Sequence, residues 1–226
     1  GADVNTKPKH SNSVLYHAAA NRHVDIVKML IEAGADVTAK SKGSWTILSW
    51  AAQDGHADIV KMLIDAGADV DTKNKDGETV LSWAADNGRA GVVKILIDAG
   101  ADVNTKNKVG MSALYHAVHN NSHADTVKML IDAGADVNTK NKDGITVLPF
   151  AADKGNAVIA KMLIEAGAYV HSKAKGGGTA LLCAVKKGYA GIVKMLIEAG
   201  ADVNAWYGWN ASITALLWAA QYDQTD

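Results

Sequence analysis

The chain has 226 residues, of which 48% are hydrophobic, and its formal charge at pH 7 is −1. This composition is sufficient for a continuous core, and the near-zero charge indicates no particular class of partner. No stretch reaches the ~18 consecutive apolar residues of a transmembrane helix, and no secretory signal pattern is present. The single cysteine, Cys183, rules out an internal disulfide and suits a reducing compartment, so we expect a cytoplasmic protein.

The segment GADV recurs through the chain at nearly constant spacing. Its copies begin at Gly1, Gly34, Gly67, Gly100, Gly134 and Gly200, with the variant GAYV at Gly167. The steps between copies are 33 residues, with one step of 34. This period predicts one supersecondary unit copied in tandem, in which each copy buries its apolar face only against its neighbours. The functional question therefore concerns an extended surface rather than a catalytic pocket.

Residues 73–105 illustrate the elements of one unit in chain order. A turn is predicted at 74–77, and Thr79 is the N-cap of a short helix that ends at 87–88. A second helix follows and stops at Gly100, a residue that favours positive φ. An extended return at 101–104 leads to the next turn. Spacing of three and four residues defines the apolar faces, which consist of Leu81, Ala84 and Ala85 in the first helix and Val92, Val93, Leu96 and Ile97 in the second.

This order of elements resembles the ankyrin repeat. Residues 46–70 read TILSWAAQDGHADIVKMLIDAGADV and contain T-x-L-x-x-A-A, G-H-x-x-I-V-x-x-L and G-A-D-V. The resemblance covers essentially the whole chain and implies an all-α repeat solenoid of stacked antiparallel helix pairs, with β-hairpin fingers and a concave groove. We expect a single solenoid over 1–226, with partial units at 1–6 and 206–226, the latter containing a seventh first helix. The six full repeats lie near 7–39, 40–72, 73–105, 106–139, 140–172 and 173–205.

The chain departs from the family pattern at its turns. The T-P-L-H motif is absent, and the histidine position holds Tyr16, Ser49, Ser82, Tyr115, Pro149, Leu182 and Leu217. We therefore expect the hydrogen bonding of these turns to differ from that of the family. One extra residue lies between the helices of the fourth repeat, within 119–123, and the last finger, 206–211, is longer and aromatic.

One position in each first helix varies while the surrounding frame is constant. It holds His17, Trp50, Trp83, His116, Phe150, Cys183 and Trp218. Trp50 lies two residues beyond buried Leu48, about 200° around the helix, so we predict that it points away from the core. Trp50 and Trp83 would then lie roughly 10 Å apart on neighbouring helices. Two interpretations remain open: these side chains contact a partner, or they fill space between repeats.

We predict a non-catalytic protein–protein interaction module, monomeric and without cofactor or metal, whose partner is a protein rather than a membrane or a nucleic acid. Aromatic residues are common at binding hot spots. The candidate partner-binding residues are Tyr16, His17, Trp45, Trp50, Trp83, Tyr115, His116, Phe150, Trp206, Trp209 and Trp218. His116, His119 and His123 do not form a convincing metal set, because the third lies beyond a turn.

Two alternatives stay open at this stage. The aromatic row and the paired lysines of the predicted fingers could bind a polyanion or another non-protein ligand, or the lysines could simply protect exposed strand edges. The array could also be a structural spacer within a larger protein. Nucleic acid is disfavoured because Arg22 and Arg89 are the only arginines available for bidentate recognition.

Overall fold

The computed structural model describes residues 4–5, 13–40, 44–119, 123–173, 178–204, 206–207 and 213–214. Within these ranges the chain forms twelve helices and one two-stranded antiparallel ladder, β1 (Trp206–Tyr207) with β2 (Ile213–Thr214). The first helices of the pairs are α1 (Val14–Ala20), α3 (Ile47–Asp54), α5 (Val80–Asp86), α7 (Ala113–His119), α9 (Val147–Asp153) and α11 (Ala180–Lys186). The second helices are α2 (Val24–Glu32), α4 (Ala57–Asp65), α6 (Ala90–Asp98), α8 (Ala124–Asp132), α10 (Ala157–Glu165) and α12 (Ala190–Glu198).

The helix pairs stack into two layers. Each first helix packs against its own second helix and against the first helices of the adjacent pairs, and the second helices form a parallel row. The core lies between the layers and runs continuously along the array. The predicted all-α repeat solenoid is therefore confirmed.

The apolar face predicted for the third pair forms part of this core. Leu81, Ala84 and Ala85 of α5 and Val92 and Leu96 of α6 are almost completely buried. Burial of one leucine side chain contributes roughly 1.5–3 kcal/mol. The small alanines allow neighbouring first helices to approach closely, so the same frame can be repeated along the array.

In some helix-start turns, serine stands where the family motif has histidine, and in α5 its side chain hydrogen-bonds to a backbone N–H group. The N–H of Ser82 donates to Thr79 Oγ1 at 3.1 Å, and the N–H of Thr79 donates to Ser82 Oγ at 3.0 Å. This reciprocal capping box satisfies two N–H groups that a helix start otherwise leaves unpaired. In α9 the equivalent position is Pro149, which has no N–H, and Thr146 Oγ1 is buried without a hydrogen-bond partner.

Gly100 and Gly88 are among the glycines that follow helices in the left-handed region, as predicted for Gly100. Its φ is 88°, and open space surrounds the position of a Cβ. Gly88 has a φ of 63°, and a Cβ there would collide with the imidazole ring of His123. Gly88 is therefore required both for its backbone conformation and for close contact between repeats.

The return segments and fingers contain less regular extended structure than the sequence predicts. Residues 103–104 form a turn, because Asp102 Oδ1 accepts the N–H of Asn104 at 2.9 Å. In the finger at 74–78, Asn74 Oδ1 accepts the N–H groups of Asp76 and Glu78, at 2.8 and 3.0 Å. These side-chain hydrogen bonds use donors that a hairpin ladder would need. Outside β1 and β2, the described fingers contribute only two single bridges, Lys40 to Thr46 and Lys73 to Thr79.

No helix in the part of the chain that the structure describes is both long enough and apolar enough to cross a bilayer.

Candidate functional site

The surface formed by the first helices and the turns that precede them, here called the first-helix face, carries three tryptophans in contact. Trp45 lies in the turn before α3, Trp50 in α3 and Trp83 in α5. The ring centroid of Trp45 lies 5.4 Å from that of Trp50 and 4.6 Å from that of Trp83. We call these three residues the tryptophan cluster. Tyr16 extends it, with its ring 5.9 Å from Trp50 in an edge-to-face arrangement.

The tryptophan cluster lies outside the hydrophobic core. Its three side chains are half-buried and pack on one another, whereas Tyr16 and Phe150 pack against the core. The indole N–H groups of Trp50 and Trp83 are shielded from solvent and have no hydrogen-bond acceptor. A buried donor without an acceptor costs about 1–3 kcal/mol. Mutual ring packing therefore holds these side chains in an arrangement that leaves two polar groups unsatisfied.

A charged cluster lies beside the tryptophans. His116 Nε2 is 3.1 Å from Glu78 Oε2, and His116 Nδ1 is 3.4 Å from Asp86 Oδ1. The Nε2 contact has the distance of an ion pair but lacks hydrogen-bond alignment. Glu78 also accepts hydrogen bonds from the side chains of Asn107 and Ser82. We call His116, Glu78 and Asp86 the charged cluster.

The charged cluster keeps the imidazole protonated. Burial lowers the pKa of His116, but a hydrogen bond to Asp86 and the charges of Glu78 and Asp86 outweigh burial and raise the pKa from 6.5 to about 9. Burial also raises the pKa of Glu78, but the nearby His116 cation and hydrogen bonds from Asn107 and Ser82 lower it overall. At neutral pH the cluster therefore contains one cation and two anions, with a net charge of −1.

The two clusters are built from equivalent repeat positions. Trp45 and Glu78 both directly precede an N-cap threonine, and Trp83 and His116 occupy the variable position of the next first helix. The contact of Trp45 with Trp83 and the contact of Glu78 with His116 each join residues 38 positions apart. The residue before the N-cap thus reaches the variable residue of the following repeat.

Tyr115 belongs to the core rather than to an accessible surface. It is only 2% exposed, and its hydroxyl accepts a hydrogen bond from Asn141 at 3.3 Å. Its ring stacks on His119 at 5.5 Å and meets Phe150 edge-to-face at 4.9 Å. Tyr115 therefore offers almost no side-chain surface to a partner, and its predicted role in binding stays a prediction. The large ring fills space between the fourth and fifth pairs, whereas Phe150 is half-buried.

The remaining candidates have varied environments. His17 is exposed, with its ring edge-to-face to Tyr16 at 5.7 Å. Trp206 lies in β1, whereas Trp209 and Trp218 lie outside the described residues.

Sequence reasoning missed Glu78, Asp86 and Asn107. A signal was present, because two further positions vary across the repeats. The position before the N-cap holds Trp45, Glu78, Met111, Ile145 and Gly178, and the position three residues after the variable residue holds Gln53, Asp86, His119, Asp153 and Lys186. The described residues contain no group of three or more histidine, cysteine or carboxylate side chains placed to hold a metal.

A repeat solenoid whose constant frame presents variable side chains on one face defines a class of recognition scaffold. The family model of ankyrin repeats matches residues 15–107, 48–141, 114–206 and 150–226, so the chain belongs to the ankyrin repeat family. Ankyrin repeats generally act as protein–protein interaction modules and are typically non-catalytic.

A solved structure shows the same architecture. The ankyrin repeat domain of Bcl-3, described as a unique member of the IκB protein family, is 25% identical to this chain. The two structures superpose with a TM-score of 0.82, over 93% of this chain and 95% of that one. A comparison with curated proteins gives no significant match.

Proposed function

We propose that this ankyrin repeat protein is a non-catalytic module that binds another protein through its first-helix face and fingers. The tryptophan cluster carries this proposal. Three large rings come from two neighbouring repeats, lie outside the core and are half-buried. Tryptophan is enriched among the few interface residues that provide most of the binding energy.

The frame favours binding because it holds two of these rings, Trp50 and Trp83, in place before a partner arrives. Trp50 and Trp83 are anchored on helices whose opposite faces are in the core. A pre-organised surface loses less conformational entropy on association than a flexible one. We expect His116 and Phe150, in the same repeat position, to extend the contact surface beyond the tryptophan cluster.

We place this activity in the cytoplasm, with the protein acting as a monomer. Cys183 is a free thiol, which is compatible with a reducing compartment. Burial raises the pKa of this thiol, so it is protonated at neutral pH and does not act as a nucleophile in this proposal.

The test is a pull-down from cell lysate followed by affinity measurement with the purified captured protein. The Trp50→Ala/Trp83→Ala double variant should lose at least about tenfold in affinity, the level expected of hot-spot residues. Tyr169→Ala is the matched control, because Tyr169 is a 64% exposed aromatic residue outside the first helices. Circular dichroism must show that the double variant keeps its helix content.

Unchanged affinity in the folded double variant would refute the proposal and leave the tryptophans with a packing role. Capture of nucleic acid alone would instead support the polyanion alternative. The described finger lysines that are exposed include Lys73, Lys75, Lys106 and Lys108. Binding through them should weaken steeply as salt increases.

A further inference from the structure

We propose that the tryptophan cluster binds a methylated lysine side chain of the partner, with the alkylated ammonium held against the indole rings. This inference rests on the proposed function, because it names the chemical group that the same surface recognises. The carrying observation is the convergence of Trp45, Trp50 and Trp83 outside the core.

The ring geometry suits a cation. The plane of Trp45 is inclined by 35° to that of Trp50 and by 51° to that of Trp83, so the rings are splayed rather than stacked. A cation within ~6 Å of an indole centroid is attracted by the negative face of the ring, and tryptophan is the best of the aromatic residues for this interaction. Several indole faces around one cation provide a larger attraction than a single ring.

In the neighbouring repeat, the equivalent positions form a site that already contains a cation. Glu78 and Asp86 hold the imidazolium of His116 in the variable position of the fourth repeat. One repeat earlier, Trp45 replaces Glu78 and Gln53 replaces Asp86, around Trp83. The two carboxylates have thus become an aromatic ring and a neutral amide.

This replacement favours an alkylated ammonium over an ordinary one. An unmodified lysine ammonium has three N–H donors and a strongly held hydration shell, and it needs acceptors when it loses water. Glu78 and Asp86 are already paired with His116, which reduces their capacity to accept from it. A trimethylated ammonium has no N–H donor, and its methyl groups pack on indole faces. The net charge of −1 on the charged cluster adds long-range attraction for a cation.

Trp45 is the ring that must move to admit the group. Its centroid is 4.6 Å from that of Trp83, which is direct contact and leaves no room between the two rings. Trp45 lies in the turn before α3, whereas Trp50 and Trp83 are fixed on helices. Rotation of the Trp45 side chain would open the space without disturbing a helix.

The test uses the intact chain and three short glycine-flanked peptides. One carries trimethyllysine, one carries unmodified lysine, and one carries the neutral isostere in which carbon replaces the ammonium nitrogen. Binding is followed through the indole N–H resonances of Trp45, Trp50 and Trp83. We expect the trimethyllysine peptide to bind about tenfold more tightly than either comparison peptide.

Three variants separate recognition from folding. Trp45→Ala should abolish the preference while leaving the helix content unchanged, and Tyr169→Ala should have no effect. Gln53→Glu places a carboxylate beside the rings and should increase affinity for both the lysine and trimethyllysine peptides. A gain of affinity cannot result from unfolding.

Equal binding of the trimethyllysine peptide and its neutral isostere would overturn the proposal, because the site would then be merely apolar. Absence of binding by all three peptides, or binding that survives Trp45→Ala, would also overturn it. If these outcomes occur while the Trp50→Ala/Trp83→Ala variant still loses its protein partner, the proposed function stands and only the methyllysine assignment fails.

Discussion

Replacing His116 by glutamine removes the cation that lies between Glu78 and Asp86 while keeping a side chain of similar length. The His116 side chain is only 16% exposed, so solvent does little to screen the interaction. Its pKa rises from 6.5 to about 9 in the folded protein. At roughly 1.4 kcal/mol for each pKa unit, this rise corresponds to about 3 kcal/mol of folding stability.

The pH dependence follows from the direction of the shift. The folded protein binds the His116 proton more tightly than the unfolded chain, so the full stabilisation is present below pH 6.5. It decreases as pH rises and is lost above pH 9, where both states release the proton. The excess of the wild type over the variant in unfolding free energy should therefore fall by about 3 kcal/mol between pH 6 and pH 10.

Urea unfolding followed by circular dichroism, repeated across this pH range, measures the difference between the two proteins. His17→Gln is the matched control, since His17 occupies the same repeat position and is exposed. An NMR titration should independently show a pKa of about 9 for His116. A stability difference that does not change with pH, or a titration near 6.5, would refute the assignment of His116 as a cation held by two carboxylates.

Three further stability predictions can be checked by urea or thermal unfolding. Thr79→Val should lower the free energy of unfolding by about 1 kcal/mol because it breaks a capping box. Thr146→Val should be neutral or stabilising because the Thr146 hydroxyl has no hydrogen-bond partner, and equal losses of stability in the two variants would contradict this. Gly88→Ala should destabilise the protein more than Gly100→Ala, because the added methyl group at Gly88 also collides with the His123 ring. Gly100→Ala bears only the ~1–2 kcal/mol of left-handed strain, and the reverse order would be inconsistent with the His123 contact. Leu81→Ala should cost about 2–5 kcal/mol, since it opens a cavity in the continuous core; a loss below this range would mean that the neighbouring repeats collapse into the space.

The sequence predicted the frame because each unit is specified by short-range patterns. The N-cap at Thr79, the buried stripe that includes Leu81 and the stop at Gly100 all depend on residues within one 33-residue period. A face that stays unburied in one unit must pack on the next, so the repeat itself predicts a stacked solenoid. The family match and the Bcl-3 comparison confirm this fold.

The side-chain arrangement on the first-helix face required the tertiary structure. The sequence placed Trp50 and Trp83 on neighbouring helices, but it did not show that Trp45 contacts both rings. It also did not predict that the equivalent contact one repeat later would be an ion pair of Glu78 with His116. Tyr115 looked like a surface residue, yet it is buried.

Local patterns determined which helices form and which faces are buried, because hydrophobic spacing and capping act within a few residues. Contacts between variable side chains were decided only by the stacking, which brings positions 38 residues apart within ring or ion-pair distance. Whether such a pair becomes a tryptophan cluster or a charged cluster then depends on the reach, orientation and charge of the two side chains that meet across the repeat boundary.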